Sequence, residues 1–131
     1  MVEVSIIGCG HLGSALIRGL SAVGRHEIIA CDVDSDALDA IAPYTQVTTT
    51  DIAEAATSDV VVVAVKPDTV ELVLEALDLS PEQTLVTVAA GVPRQFVSAR
   101  TDATVVRVMP NLAADSRTMA ATVSWDDPDD D

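Results

Sequence analysis

A doubly wound α/β fold, one parallel sheet between two layers of helices, is predicted by three features of this sequence. Short apolar runs alternate with helix-patterned segments along the chain. The first run, Val4-Ser5-Ile6-Ile7, leads straight into the turn Gly8-Cys9-Gly10-His11-Leu12-Gly13, and an acid, Asp32, follows the last glycine by 19 residues. Alternating strands and helices require crossovers, and crossovers give parallel strands with helices on both faces. At 131 residues the chain fits a single domain of this kind, a Rossmann-type three-layer αβα sandwich.

Taken in order, the predicted strands are 2–7, 27–31, 46–48, 60–65, 85–88 and 104–108, with a further edge strand over 119–125. The unbroken apolar run at 60–65 suits a strand buried on both faces. Predicted helices cover 11–23, 35–41, 52–56, 69–77 and 94–99. Asp34 or Ser35 caps the second helix and Pro43 lies just past its end, while Ser80-Pro81-Glu82 closes the helix before the strand at 85–88. The domain is expected to occupy residues 1–125, and the acidic run 126–131 reads as a solvated tail.

Hydrophobic residues make up 49% of the chain, yet Trp125, Tyr44 and Phe96 are its only aromatics, so the core must be built from Val, Ala, Leu and Ile. The 21 acids against 7 bases give a net charge of −14, with Lys66 the single lysine. Self-repulsion on this scale is relieved by concentrated salt, which points to a salt-accumulating cytoplasm; an ordinary acidic domain is the alternative. Nucleic acid and anionic membranes are excluded as expected partners, because no basic stripe is present. Glu3 and the glycine turn interrupt the N-terminal apolar run, so no signal peptide or membrane span is expected and a cytoplasmic location follows. Cys9 and Cys31 lack metal-ligand spacing, and no metal site is expected. Two readings stand for them: a close approach at the ends of adjacent strands, or two small buried thiols in a reducing cytosol.

Strand, glycine turn, helix and second-strand acid together are what a dinucleotide-binding crossover needs; a glycine-rich strand-to-helix turn with no ligand is the alternative. Gly8 permits the tight turn, Gly10 removes a side chain where backbone must approach a pyrophosphate, and Gly13 lets helix and strand pack closely. Free N–H groups at the helix start face the phosphates. Asp32, at the end of the second strand, is expected to accept the ribose hydroxyls, and Asp32-Val33-Asp34 offers no base to a 2′-phosphate. NAD(H) is therefore expected over NADP(H).

Ligands of such sheets bind outside the carboxyl ends of the strands. There the sequence brings Gly8 to Gly13, Asp32 to Asp34, Asp51, Ala64-Val65-Lys66-Pro67, Ala89-Ala90-Gly91-Val92 and Arg107-Val108-Met109-Pro110-Asn111. In this order and spacing the motifs, spanning residues 3 to 111, resemble the N-terminal domain of the pyrroline-5-carboxylate reductase family. The resemblance implies NAD(P)H-dependent reduction of the C=N bond of a cyclic imino acid, 1-pyrroline-5-carboxylate, to proline. It further implies cofactor contacts from Gly8, Cys9, Gly10, His11, Leu12 and Gly13, from Ala64, Val65, Lys66 and Pro67, from Ala90 and Gly91 and at the position of Asp51; the strand ends add Asp32, Val33, Met109 and Asn111 as expected cofactor-site residues, and the catalytic residues are left unidentified. The family's helical C-terminal domain, which forms the dimer and completes the substrate pocket, is expected to be missing from these 131 residues. A longer chain or a partner would have to supply it. The family usually continues Met-Pro-Asn with Thr-Pro, where this chain has Leu112-Ala113, and Asp51 stands where the family has an asparagine.

Individual residues keep two readings. Lys66 neutralises anionic charge or is a surface ammonium at a strand end. Asp51 meets the adenine side or caps the next helix, and Met109 and Asn111 border the nicotinamide or merely flank a turn at Pro110-Asn111. His11 serves the phosphates through its backbone N–H, its imidazole being solvated. For the whole chain, a non-catalytic NAD(P)-binding or redox-sensing module competes with an enzyme domain. A deazaflavin:NADP reductase or a prephenate dehydrogenase-like domain competes among enzymes.

Overall fold

The computed structural model describes residues 2–89, 91–110 and 121–125. Its strands are β1 (Val2–Ile7), β2 (His26–Cys31), β3 (Val47–Thr49), β4 (Val60–Val63), β5 (Thr84–Thr87), β6 (Thr104–Pro110) and β7 (Ala121–Trp125). They form one sheet in the order β3-β2-β1-β4-β5-β6-β7. The first six strands are parallel, and β7 runs antiparallel to β6 with Val106 opposite Trp125. The strand order reverses at β1, which pairs with both β2 and β4, so the crevice that α/β sheets use for ligands opens above β1 and β4.

The helices are α1 (His11–Val23), α2 (Ser35–Ile41), α3 (Ile52–Ala55), α4 (Val70–Ala76) and α5 (Arg94–Ser98). Two buried clusters sort them into layers. Ile17 of α1 and Leu38 and Ile41 of α2 pack with Val4, Ile6, Ile28 and Ala30 on one face. Ala55 of α3, Val70, Val73 and Leu74 of α4 and Val97 of α5 pack with Val61, Val63, Leu85 and Val105 on the other. Successive residues of β4 divide between the faces, as the two-residue repeat of a strand requires. The expected aliphatic core is present: Ile6, Ile17, Ile41, Val61, Val63, Leu85 and Val105 are fully buried.

Local chemistry explains the element ends. Asp34 caps α2, its side chain accepting from Asp36 N at 3.0 Å, and Asp51 caps α3 by accepting from Ala53 N at 3.0 Å. α1 stops at Gly24, whose φ of 74° is left-handed and whose N–H returns to Leu20 O.

Several expected bounds shift. β2 begins at His26, and β3 and β5 each lie one residue from the expected span. β4 ends at Val63 instead of 65, because Ala64 makes one last bond to Ile7 O at 2.8 Å and the chain then bends across the glycine turn. A 3-10 turn, Pro67–Thr69, precedes α4, which ends at Ala76 with Leu77 extended; Ser80-Pro81-Glu82 therefore does not close that helix. α3 and α5 each stop one residue short of the expected end. β6 runs on to Pro110 because β7 pairs with it as far as Ala121. Ala90, Asn111, residues 119 and 120 of the expected edge strand, and the 126–131 tail lie outside the described residues.

Candidate cofactor site

The glycine turn is built from three different needs. Gly8 has φ 99°, and a Cβ there would sit 2.8 Å from Ala64 O. At Gly13 a Cβ would come within 1.7 Å of Gly8 O, so this glycine is what lets α1 start so close above β1. Gly10 differs from both: its φ is −73°, and a Cβ built on it meets no atom within 4 Å. Nothing inside the described fold requires glycine at this position, whereas a ligand backed against the turn would.

The turn is braced from both sides. The Gly8 N–H donates to Cys31 O at 2.9 Å, and the Ser14 hydroxyl donates to Cys9 O at 2.8 Å. Asp32 holds the remaining strut: its Oδ2 accepts from Cys9 N at 2.7 Å and its Oδ1 from Asp34 N at 2.9 Å. The acid expected to meet ribose is thus also a structural ligand of the turn, with its charge fixed beside it. α1 itself has no side-chain cap and no acid in its first turn, in contrast to α2 and α3. Its first N–H groups and its dipole therefore face the crevice without a competing carboxylate from the helix.

Beside the turn lies a largely apolar cavity of about 270 Å³, lined by Gly8, Asp32, Val33, Thr50, Ile52, Val65, Thr69 and Leu72 among others. It combines an apolar slot with one carboxylate at its edge, a combination suited to a flat heteroaromatic ring carrying a sugar. Val33 is 88% exposed at its mouth. Sequence patterning does not single out Thr50, Ile52, Thr69 or Leu72, which belong to no motif. In the structure Leu72 is a large apolar residue left 67% exposed on a helix.

The remaining expected site residues distribute as follows. His11 is exposed and Leu12 packs partly into the α1 and α2 cluster. Ala64 and Val65 line the turn, with Val65 Cγ1 3.0 Å from where a Gly8 Cβ would lie. Lys66 and Pro67 are exposed at the start of the 3-10 turn above β4. Asp51 occupies its cap and is absent from the cavity wall, while its neighbours Thr50 and Ile52 are on it. Gly91 has φ 76°, and Met109 lies near the end of β6, which is separated from β2 by three strands, β1, β4 and β5.

The two buried thiols belong to different clusters. Cys9 belongs to the cluster under α1 and α2 and Cys31 to the one under α3 and α4, on opposite faces of the sheet. Cys9 Sγ instead donates to Cys31 O at 3.6 Å, and both cysteines are free. Burial, reinforced by the Asp32 charge, pushes the Cys9 thiol from 9.0 up to about 12 and Cys31 up to about 11. A raised folded value favours the neutral thiol, so this stabilisation is complete below the unfolded value and is lost as pH rises toward 11 and 12. Native protein should accordingly be silent to a thiol reagent at neutral pH and titrate two thiols once unfolded. Its melting temperature should fall steeply above pH 9. Rapid labelling of the native protein would contradict the burial.

Among the described residues no cluster of side chains could hold a metal, and no helix is long and apolar enough to cross a membrane.

Comparison with known proteins supplies the family. A family model described as NADP oxidoreductase coenzyme F420-dependent matches residues 3–91. The pyrroline-5-carboxylate reductase of Mycobacterium leprae is 38% identical over 126 residues, covering 87% of this chain and 43% of the relative. That of Pseudomonas aeruginosa is 38% identical over 120 residues, covering 86% of this chain and 44% of the relative. The solved pyrroline-5-carboxylate reductase of Coxiella burnetii superposes with a TM-score of 0.84 at 27% identity, over 98% of this chain and 52% of that one. The chain thus spans about half the length of the relatives it matches, and the fold it shares with them binds a nicotinamide dinucleotide. By sequence and by fold, the chain belongs to the NADP oxidoreductase coenzyme F420-dependent family and corresponds there to the dinucleotide-binding domain of the pyrroline-5-carboxylate reductases.

Proposed function

We propose that residues 1–125 form the NAD(H)-binding domain of an enzyme that reduces the C=N bond of 1-pyrroline-5-carboxylate to proline. The observation that carries this reading is Gly10, a glycine with no conformational or packing need of its own at the uncapped start of α1. When bound, the reduced nicotinamide supplies the hydride. Around it, the first N–H groups of α1 hold the pyrophosphate, Asp32 orients the ribose, and the cavity beside Val33 and Leu72 takes the adenine. Lys66 offsets anionic charge at the crevice, and Ala90, Gly91, Met109 and Asn111 border the nicotinamide half. The substrate pocket and proton donor come from outside these residues, from a helical domain in a longer polypeptide or in a partner, which a homodimer would also provide. The relatives' greater length supports this. The free thiols and the −14 charge fit a reducing, salt-rich cytoplasm. The family description favours a second reading, a deazaflavin-linked NADP reductase, against which the curated relatives over most of the chain weigh.

Coenzyme choice tests the site. Asp32 is held at the turn by two backbone N–H groups and cannot swing away, and Val33 brings no positive charge. A carboxylate 4 Å from a phosphate charge costs about 4 kcal/mol at intermediate dielectric, and each ~1.4 kcal/mol is tenfold in affinity. Calorimetry should find NADH bound at least about tenfold more tightly than NADPH at low salt, with the gap narrowing in concentrated potassium chloride. Val33→Arg should close or reverse it. Tighter NADPH binding by the native chain at both salt concentrations would overturn the preference.

A further inference from the structure

Arg107 lies on β6 at the level of Thr87 in β5, on the sheet face that also carries the fully buried Val105. Arg107 is half-buried there, and ordering a guanidinium with many rotamers in place of a packed aliphatic side chain carries a cost. What it secures is a backbone bond: Arg107 Nε donates to Val92 O at 3.0 Å. Val92 is buried and follows Gly91, whose left-handed φ of 76° marks a turn with wide conformational freedom when unrestrained. A charge-assisted bond from a planar, rigid donor removes that freedom and ties the β5–α5 turn to β6, the strand that runs on through Met109 to Pro110.

We propose that Arg107 is a positioning residue: it locks the turn at Gly91-Val92 to β6, so that the two segments flanking the nicotinamide half are held as one unit. The inference rests on the cofactor reading given above. The cavity assigned to the adenine half, walled by Val33, Thr50 and Leu72, has no lining residue from the turn at Gly91-Val92 or from β6, so it does not use this clamp.

The clamp predicts a split between ligands that share the adenine half. NADH and ADP-ribose, which lacks nicotinamide, are titrated by calorimetry into the 131-residue chain, Arg107→Leu and Arg107→Lys, with circular dichroism recorded for each. Arg107→Leu should weaken NADH by about tenfold, the loss of one charge-assisted bond, and leave ADP-ribose within about twofold. Arg107→Lys, which keeps a cationic donor without the planar fork, should fall between. If the leucine variant fails to fold, the lysine variant still decides, through weakened NADH with unchanged ADP-ribose. Equal weakening of both ligands by a folded variant would assign Arg107 a general structural role, and unchanged NADH binding would show that the turn needs no clamp; either result overturns the proposal. Failure of the native chain to bind either ligand would instead overturn the cofactor reading beneath it.

Discussion

Gly13→Ala should lower the melting temperature by about 10 °C or more and abolish dinucleotide binding, because the added methyl would lie 1.7 Å from the Gly8 carbonyl oxygen. Neither partner can yield cheaply. Gly8 is itself held by its N–H bond to Cys31 O and by a backbone conformation that few other residues adopt, so relief requires α1 to lift off β1. That movement would open the cluster around Ile17, Ile6 and Ile28, at a cost of about 3 kcal/mol or more. Gly10→Val should behave in the opposite way. Its side chain enters open space at a negative φ, so the melting curve should stay within a few degrees while NADH binding falls below detection. Thermal melts and calorimetry on the two variants separate a glycine required by the fold from one required by the ligand. Undiminished NADH binding by Gly10→Val would remove the pyrophosphate from this turn.

The second large effect concerns catalysis. The 131-residue chain should bind NADH yet reduce 1-pyrroline-5-carboxylate at least about a thousandfold more slowly than a full-length relative, even in molar potassium chloride. Hydride transfer needs the imine carbon held against the nicotinamide face and water kept out, and orientation with enclosure contributes several of the roughly 7–11 kcal/mol available from positioning. This chain covers less than half of each curated relative, and the enclosure is expected from the remainder. The net charge of −14 also repels a carboxylate substrate. Adding the helical half of a relative, fused or as a separate polypeptide, should raise turnover. Robust NADH oxidation by the chain alone would show that the substrate site lies within these residues.

Much of this architecture is local and so was legible in the sequence. α1 and α2 span the residues that periodicity and the Asp34-Ser35 cap predict, and β1 leads into a glycine turn whose three positions announce their spacing. Asp51 as a cap needs only the residues beside it. These features depend on contacts within a few residues, which side-chain period and capping chemistry report directly.

What the tertiary structure alone decided depends on strands far apart in sequence lying side by side. Pairing of β1 with both β2 and β4 sends Cys9 and Cys31 to opposite faces, brings the Asp32 carboxylate to Cys9 N, and ends β4 early so that Ala64 and Val65 can cross the turn. The cavity wall likewise gathers Thr50 from the end of β3 with Thr69 and Leu72 from the start of α4, residues that carry no motif. Periodicity fixes which residues share a face of one element. Only the order and register of the sheet determine which faces meet, because that is a property of pairings with no local signature.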